Sequence, residues 1–307
     1  MDHVSRNQKV LFAPLEEYGI SMYMKREDQI HPLISGNKYR KLKYNIKKAQ
    51  EEGHQTLLTF GGAYSNHISA VAFAGKKYGF RTIGVIRGDE LGNDIIKTLK
   101  VNPTLGLASE HGMNFEFVSR SNYRLKETDQ YINELREKYG EFYLIPEGGT
   151  NDLAIHGCEE ILDDRDQFFD VICVSVGTGG TISGIINSAK GDQFVMGFPA
   201  LKGDFLEEQI KRYIQPKNNW SLINDYHFGG YAKVNEELVK FINNFKFETS
   251  IPLDPIYTGK MMFGILDLIK QGHFSKGTKI LAIHTGGLQG IYGMNMKLRH
   301  KKLPVIQ

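Results

Sequence analysis

Three short runs of this chain have the residue types and spacing to do chemistry. The first is Gly177-Thr178-Gly179-Gly180-Thr181, which follows the apolar stretch VICVSV and precedes a helical pattern near Ile182. A turn between a strand and a helix presents several backbone N–H groups outward. Glycines let that backbone approach an anion, and the helix dipole adds favourable potential. Thr178 and Thr181 can add hydroxyl donors. The run reads either as a phosphate cup or as a tight turn packing a helix on a strand. A dinucleotide fingerprint needs glycine where Ile182 stands, and a nucleotide-triphosphate loop needs Lys-Ser/Thr where Ser183-Gly184 stands.

The second run is Ser35-Gly36-Asn37-Lys38, where a Gly-Asn turn sets Lys38 at the start of a helical pattern. Lysine is ordinarily a solvated surface residue. One that is desolvated beside a helix N-terminus has a lowered pKa, as an imine-forming lysine requires. The third run, Gly61-Gly62-Ala63-Tyr64-Ser65-Asn66-His67, follows the strand pattern TLLTF. Ser65 is expected as the N-cap of the next helix. A functional reading adds its hydroxyl and the Asn66 amide facing a crevice, while His67 reads equally as structural. Asp254-Pro255-Ile256-Tyr257-Thr258-Gly259-Lys260 and His284-Thr285-Gly286-Gly287 are, taken singly, ordinary loop chemistry.

Other chemistries find little support. The ten histidines form no HExxH, no carboxylate set has metal spacing, and there is no GxSxG elbow. Cys158 and Cys173 are the two cysteines, too few for a disulfide framework and without CxxC spacing. With 38 Lys and Arg against 35 Asp and Glu, the formal charge is +3, so nucleic acid is not an expected partner. No stretch reaches the ~20 apolar residues of a membrane helix, and the opening MDHVSRNQKV has no apolar run. A cytoplasmic, reducing setting is the expectation.

Positioning those runs requires alternating elements. Strands are expected at Thr56–Phe60, Arg81–Ile86, Phe115–Val118, Phe142–Ile145, Val171–Val176, Phe194–Phe198 and Lys279–Ile283. Helices are expected at Ser65–Tyr78, from about Ile182, and over 202–215, 234–246 and 260–271. Such a β-α-β order predicts parallel strands with crossovers. The fold class is therefore α/β, with two open domains and ligands at strand C-terminal ends. Pro146–Asn151 is the best hinge candidate.

Taken together, SGNKYRKL, GGAYSNH, PEGGTN, VGTGGTISG, DPIYTGK and HTGG, in that order, resemble the pyridoxal-phosphate enzymes of the tryptophan-synthase-β fold (fold type II). Within that group the chain is most similar to the 1-aminocyclopropane-1-carboxylate deaminase/D-cysteine desulfhydrase family, from about Pro14 to Gly290. The resemblance implies two mostly parallel three-layer αβα domains with the active site in the cleft between them. Residues 1–41 with 151–307 would form the large cofactor-binding domain and 42–150 the small one. It also implies pyridoxal 5'-phosphate held covalently by Lys38, with its phosphate cupped by Thr178, Gly179, Gly180 and Thr181. Asn66 would stand beside the ring hydroxyl, Ser65 beside the substrate, and Thr285 at the pyridine nitrogen. Tyr257 and Tyr231 match the family's active-site tyrosines. The substrate would be a small amino acid and the assembly a homodimer.

The expected reaction is β-elimination to pyruvate and ammonia, since a neutral hydroxyl at the ring nitrogen disfavours transamination. Ring-opening relatives resemble DPxYEGK; here Thr258 replaces the glutamate, which leans towards D-cysteine desulfhydrase. The alternatives are 1-aminocyclopropane-1-carboxylate deamination and a non-catalytic protein that binds cofactor or amino acid. Two further departures are Tyr64, where glutamine is common, and a shortened segment between Arg87 and Phe115.

Overall fold

The computed structural model describes residues 4–34, 36–203 and 205–307. Ser35, part of the lysine run, lies outside them. The chain forms two compact units, Met1–Arg40 with Ile155–Gln307, and Lys41–Ala154. It passes from one to the other inside two helices, Asn37–Glu51 and Asp152–Glu159, while Pro146–Asn151 belongs to the smaller unit.

Ten strands are described: β1 (Asn7–Lys9), β2 (Ser21–Lys25), β3 (Thr56–Gly62), β4 (Arg81–Arg87), β5 (Met113–Val118), β6 (Tyr143–Ile145), β7 (Val171–Val176), β8 (Phe194–Pro199), β9 (Trp220–Leu222) and β10 (Lys279–Ile283). The larger unit holds a six-stranded sheet, β1-β2-β10-β7-β8-β9, parallel except where β1 meets β2. The smaller unit holds four parallel strands, β5-β4-β3-β6.

Strand alternation explains why VICVSV is apolar at every position but Ser175. Successive side chains point to opposite faces of a sheet, and both faces here are covered by helices. Ile172, Val174, Val176, Leu281 and Ile283 pack with Ile182, Ile185 and Ile210 on one face. Cys173, Ile280 and Ala282 pack with Leu238, Ile242, Met261 and Ile265 on the other. In the smaller sheet Leu58, Phe60, Ile83 and Val85 meet Tyr131, Ile132 and Leu135 of the helix Asp129–Tyr139. The helix Asn66–Tyr78 lies so close to that sheet that a Cβ at Gly75 would fall 2.1 Å from Thr82 Cγ2.

Several expected boundaries move. The strand at 56–60 runs on through Gly61 and Gly62, paired with Ile86 and Arg87. The helix expected over 202–215 is Phe205–Lys211; Gln215 precedes Pro216, which disfavours helical backbone there. The helix expected over 234–246 is Glu236–Thr249, started by Asn235 Oδ1, which accepts from Leu238 N at 2.9 Å. β1, β2 and β9 escape sequence reading because they are short or lack clean alternation.

The register positions the chemistry. Ile283 pairs with both Lys25 and Val174, so the C-terminal ends of β2, β7 and β10 lie side by side. The chain leaving them makes the lysine turn, the glycine loop and the His284–Gly287 loop.

Candidate active site

Lys38 is the second residue of the helix Asn37–Glu51 and is partly buried. The turn ahead of it is held from several sides. Gly36 N donates to Glu27 O at 3.1 Å, and Asn37 N donates to Thr285 O at 3.2 Å. Asn37 Nδ2 donates to Thr181 Oγ1 at 2.8 Å, joining the lysine turn to the glycine loop. Glu27 is itself fixed by a bidentate pair with buried Arg40, at 3.0 and 2.9 Å. Gly36 takes φ +64°, and a Cβ there would fall 1.9 Å from the Thr285 carbonyl oxygen. Only glycine fits such an approach.

The glycine loop opens the helix Gly180–Ser188, whose N-cap Gly179 has φ +82° and offers no side-chain cap. Its first-turn amides therefore lack intrahelical acceptors, an arrangement suited to binding an anion. Thr181 is buried and Thr178 exposed. The Tyr257 ring lies over this loop, since a Cβ on Gly177 would meet Tyr257 Cε1 at 3.2 Å. Tyr231 stands edge-on to Tyr257, ring centroids 6.3 Å apart. Thr285 Oγ1 lies 3.1 Å from Ser175 Oγ, both buried, so the pair presents neutral hydroxyls and no charge. Lys38, Thr178 to Thr181, Tyr231, Tyr257 and Thr285 thus gather in the larger unit.

Two loops owe their shape to polar residues that the motifs contain without announcing. Asp254 is fully buried and its carboxylate accepts from the backbone N–H groups of Ile256, Tyr257 and Thr258 and from Thr258 Oγ1, at 2.6 to 2.9 Å. Asp254, rather than N-cap Tyr257, thereby caps the helix Thr258–Lys270. His284 Nδ1 accepts from Gly286 N at 3.2 Å, so its Nε2 donates to Pro252 O at 2.7 Å. The ring thereby fixes the Thr285 loop.

Ser65, Asn66 and His67 belong to the smaller unit. Ser65 occupies the N-cap position of Asn66–Tyr78 as expected, but its side chain makes no capping bond. Its hydroxyl is left for another partner. Asn66 Oδ1 is buried without a hydrogen bond among the described residues. Such a group costs free energy unless a ligand pairs with it. His67 is 1% exposed. Its Nε2 lies 2.9 Å from Thr59 Oγ1, whose hydroxyl donates to Ile145 O at 2.8 Å, and Gly149 packs on the ring. These are the contacts that the structural reading of His67 expects.

The donor set of the larger unit fits an aromatic aldehyde phosphate: an uncapped helix terminus for the phosphate, a neutral hydroxyl pair for a ring nitrogen, and a lysine. Fold and site together define a pyridoxal-phosphate-dependent enzyme, and the chain belongs to that family, which it matches over residues 5–286. Within it, the chain stands in the 1-aminocyclopropane-1-carboxylate deaminase/D-cysteine desulfhydrase group. It is 32% identical to a Thermotoga maritima protein carrying the provisional name 1-aminocyclopropane-1-carboxylate deaminase, over 92% of this chain and 94% of that one. It is also 32% identical to the mitochondrial bifunctional D-cysteine desulfhydrase/1-aminocyclopropane-1-carboxylate deaminase of Arabidopsis thaliana, over 89% of this chain and 74% of that one. The crystal structure of an ACC deaminase homologue superposes with a TM-score of 0.82 at 29% identity, covering 97% of this chain and 94% of the other. Among the described residues no group of His, Cys, Asp or Glu could hold a metal ion, and no helix is long and apolar enough to cross a membrane.

Lys260, at the end of DPIYTGK, has a role that the motif does not reveal. It is 2% exposed and donates at 2.8 Å to both His227 O and Gly230 O, anchoring the turn before Tyr231. Burial pulls its pKa from 10.5 down to about 8, partly offset by the Asp254 carboxylate. The unfolded chain therefore binds more protons between those values, and stability rises with pH through that window. Lys260→Met cannot titrate. The native chain should gain about 2–3 kcal/mol on this variant between pH 7.5 and 10.5, at 1.36 kcal/mol per pKa unit. Urea unfolding across that range measures it, and a constant difference would contradict the assignment.

Proposed function

We propose that this enzyme is a lyase of small D-amino acids bearing a leaving group on Cβ, and in particular a D-cysteine desulfhydrase yielding sulfide, pyruvate and ammonia. The observation that carries the reading is Thr258. It follows Tyr257 where ring-opening relatives have glutamate, and its hydroxyl is buried against Asp254. No carboxylate reaches the ring from this position.

The cofactor, when bound, supplies an electron sink for charge developing at the substrate Cα. The chain's own residues do the rest. The amides of residues 179–181, with Thr178 and Thr181, hold the phosphate, and Asn66 pairs with the ring hydroxyl. Thr285, backed by Ser175, hydrogen-bonds the ring nitrogen as a neutral group. Lys38 takes and returns the Cα proton. The Ser65 hydroxyl, unused by its helix, binds the substrate carboxylate or shares the proton work. Tyr257 and Tyr231 stand by the leaving group. The family likeness also supports a homodimer, and the chain composition a cytoplasmic setting.

A second reading, 1-aminocyclopropane-1-carboxylate deamination, is favoured by the name of the Thermotoga relative. Pyruvate release by the holoenzyme separates the two: kcat/KM for D-cysteine should exceed that for the cyclopropane by at least about tenfold, or 1.4 kcal/mol. The reverse order would establish the second reading. No product from either, nor from D-serine, would favour a binding protein without turnover.

A further inference from the structure

Tyr231 sits in a stretch of backbone that ordinary residues avoid. Phe228, Gly229, Gly230 and Ala232 have φ of +53°, +89°, +113° and +53°, so four of the five residues 228–232 lie at left-handed φ. Glycine enters that region freely, but a Cβ on Phe or Ala crowds the following carbonyl oxygen. Two of the four non-glycine residues with positive φ among the described residues thus flank one tyrosine. Such a conformation persists only where its surroundings hold it.

What holds it is one face of the helix Thr258–Lys270. Lys260, Phe263, Gly264 and Asp267 recur at the three- and four-residue spacing of a single helix face. Lys260 Nζ donates to His227 O and Gly230 O, both at 2.8 Å. The Phe263 ring meets Phe228 edge-on, centroids 5.1 Å apart. Tyr226 packs against Gly264, where a Cβ would fall 2.7 Å from Tyr226 Cδ2, and its hydroxyl donates to Asp267 Oδ2 at 2.8 Å. Of these contacts, the one Lys260 makes lies nearest Tyr231, at the carbonyl of the residue before it. An apolar side chain would fill the same space at lower desolvation cost, but it could not fix two carbonyl groups. The same helix begins directly after Tyr257, whose ring centroid lies 6.3 Å from that of Tyr231.

We propose that Lys260 is the positioning residue of Tyr231: it clamps residues 227–232 in their strained form and so keeps the tyrosine beside Tyr257 for substrate binding. This rests on the reading that puts the two tyrosines at the leaving group, and every residue it uses belongs to the larger unit. Without the clamp the loop relaxes towards negative φ, and Tyr231 no longer keeps one position. Lys260 acts only through the tyrosine.

Two double-mutant cycles test this. The first is urea unfolding of the holoenzyme at fixed excess cofactor, with Ala232→Gly made in the native chain and in Lys260→Met. In the native chain glycine should raise the folding constant about threefold or more, because relief of the left-handed penalty outweighs glycine's extra chain entropy. In Lys260→Met the loop has already relaxed, only the entropy remains, and the same change should lower the constant. Lys260→Gln replaces Lys260→Met if the latter does not fold. No gain in the native chain, or an equal gain in both backgrounds, overturns the proposal. The second cycle reads kcat/KM for D-cysteine. Lys260→Met should lower it at least about tenfold, chiefly through KM, and less than about twofold when Tyr231→Phe is already present. An equal loss in both backgrounds would leave Lys260 a purely structural residue and overturn the proposal. If the native holoenzyme turns over no amino acid, the lyase reading fails, and the unfolding cycle still decides whether the clamp exists.

Discussion

Lys38→Ala is expected to lower kcat by at least about a thousandfold, because positioned proton transfer alone contributes roughly 10²–10⁴ and, on the proposed reading, covalent attachment of the cofactor would be lost with it. Phosphate binding should largely survive, since on the proposed reading the glycine loop would hold the phosphate through backbone amides and the hydroxyls of Thr178 and Thr181. Borohydride reduction followed by peptide mapping checks both halves. Native protein should carry the cofactor mass on the peptide containing Lys38, and the variant should release its cofactor on denaturation. Cofactor found on another lysine, or a variant with near-native turnover, would sink the assignment. Rescue by added methylamine would separate a lost base from a collapsed site.

Gly36→Ala should be more damaging than its single methyl group suggests. The residue combines φ +64° with a Cβ position 1.9 Å from Thr285 O, and the obstacle is backbone that cannot rotate away. Gly53 is an internal control, with φ +74° and nothing within 4 Å of the equivalent position. Gly53→Ala meets only the conformational cost of about 1–2 kcal/mol. Gly36→Ala must in addition push apart the lysine turn and the His284–Gly287 loop. It should cost about 3 kcal/mol or more, within the range of severe core substitutions, or weaken cofactor binding by about a hundredfold if the turn yields instead. Urea unfolding and cofactor titration of the two variants side by side make the comparison. Equal effects would show that backbone conformation, rather than the close approach to Thr285, governs Gly36.

Residues that act through their immediate neighbours were readable from the chain. VICVSV is apolar at every position but Ser175 because a strand covered on both faces has no solvent side, and a glycine run after such a strand reads as a turn into a helix. The expected strands at 171–176 and 279–283 match β7 and β10 in full. Ser65 shows where such reading stops. Its position at the helix start was legible, but its hydroxyl makes no bond to that helix, and spacing along the chain does not report on a bond left unmade.

Other residues carried no sequence signal strong enough to find them. Ser175 is one polar residue in an apolar strand, and it acquires meaning through Thr285, 110 positions away. Asn37 reads as a turn former until Thr181, 144 positions on, accepts its amide proton. Lys260 reads as a surface lysine, yet the carbonyl groups of His227 and Gly230 enclose it. Arg87 and Lys126 lie 39 positions apart in the sequence and meet over the ring of Tyr123, and both line one pocket with Arg124.

Strand and helix placement, and the order of the glycine turns, follow from side-chain period and backbone freedom, which act over a few residues and so are written in the chain. Which hydroxyl faces which, and which cations share a wall, depends on parallel strands bringing distant loops to one edge. That arrangement is set by the register of β2, β10 and β7 and of β3, β4 and β5, and hydrogen bonds across such distances leave no periodic trace in the sequence.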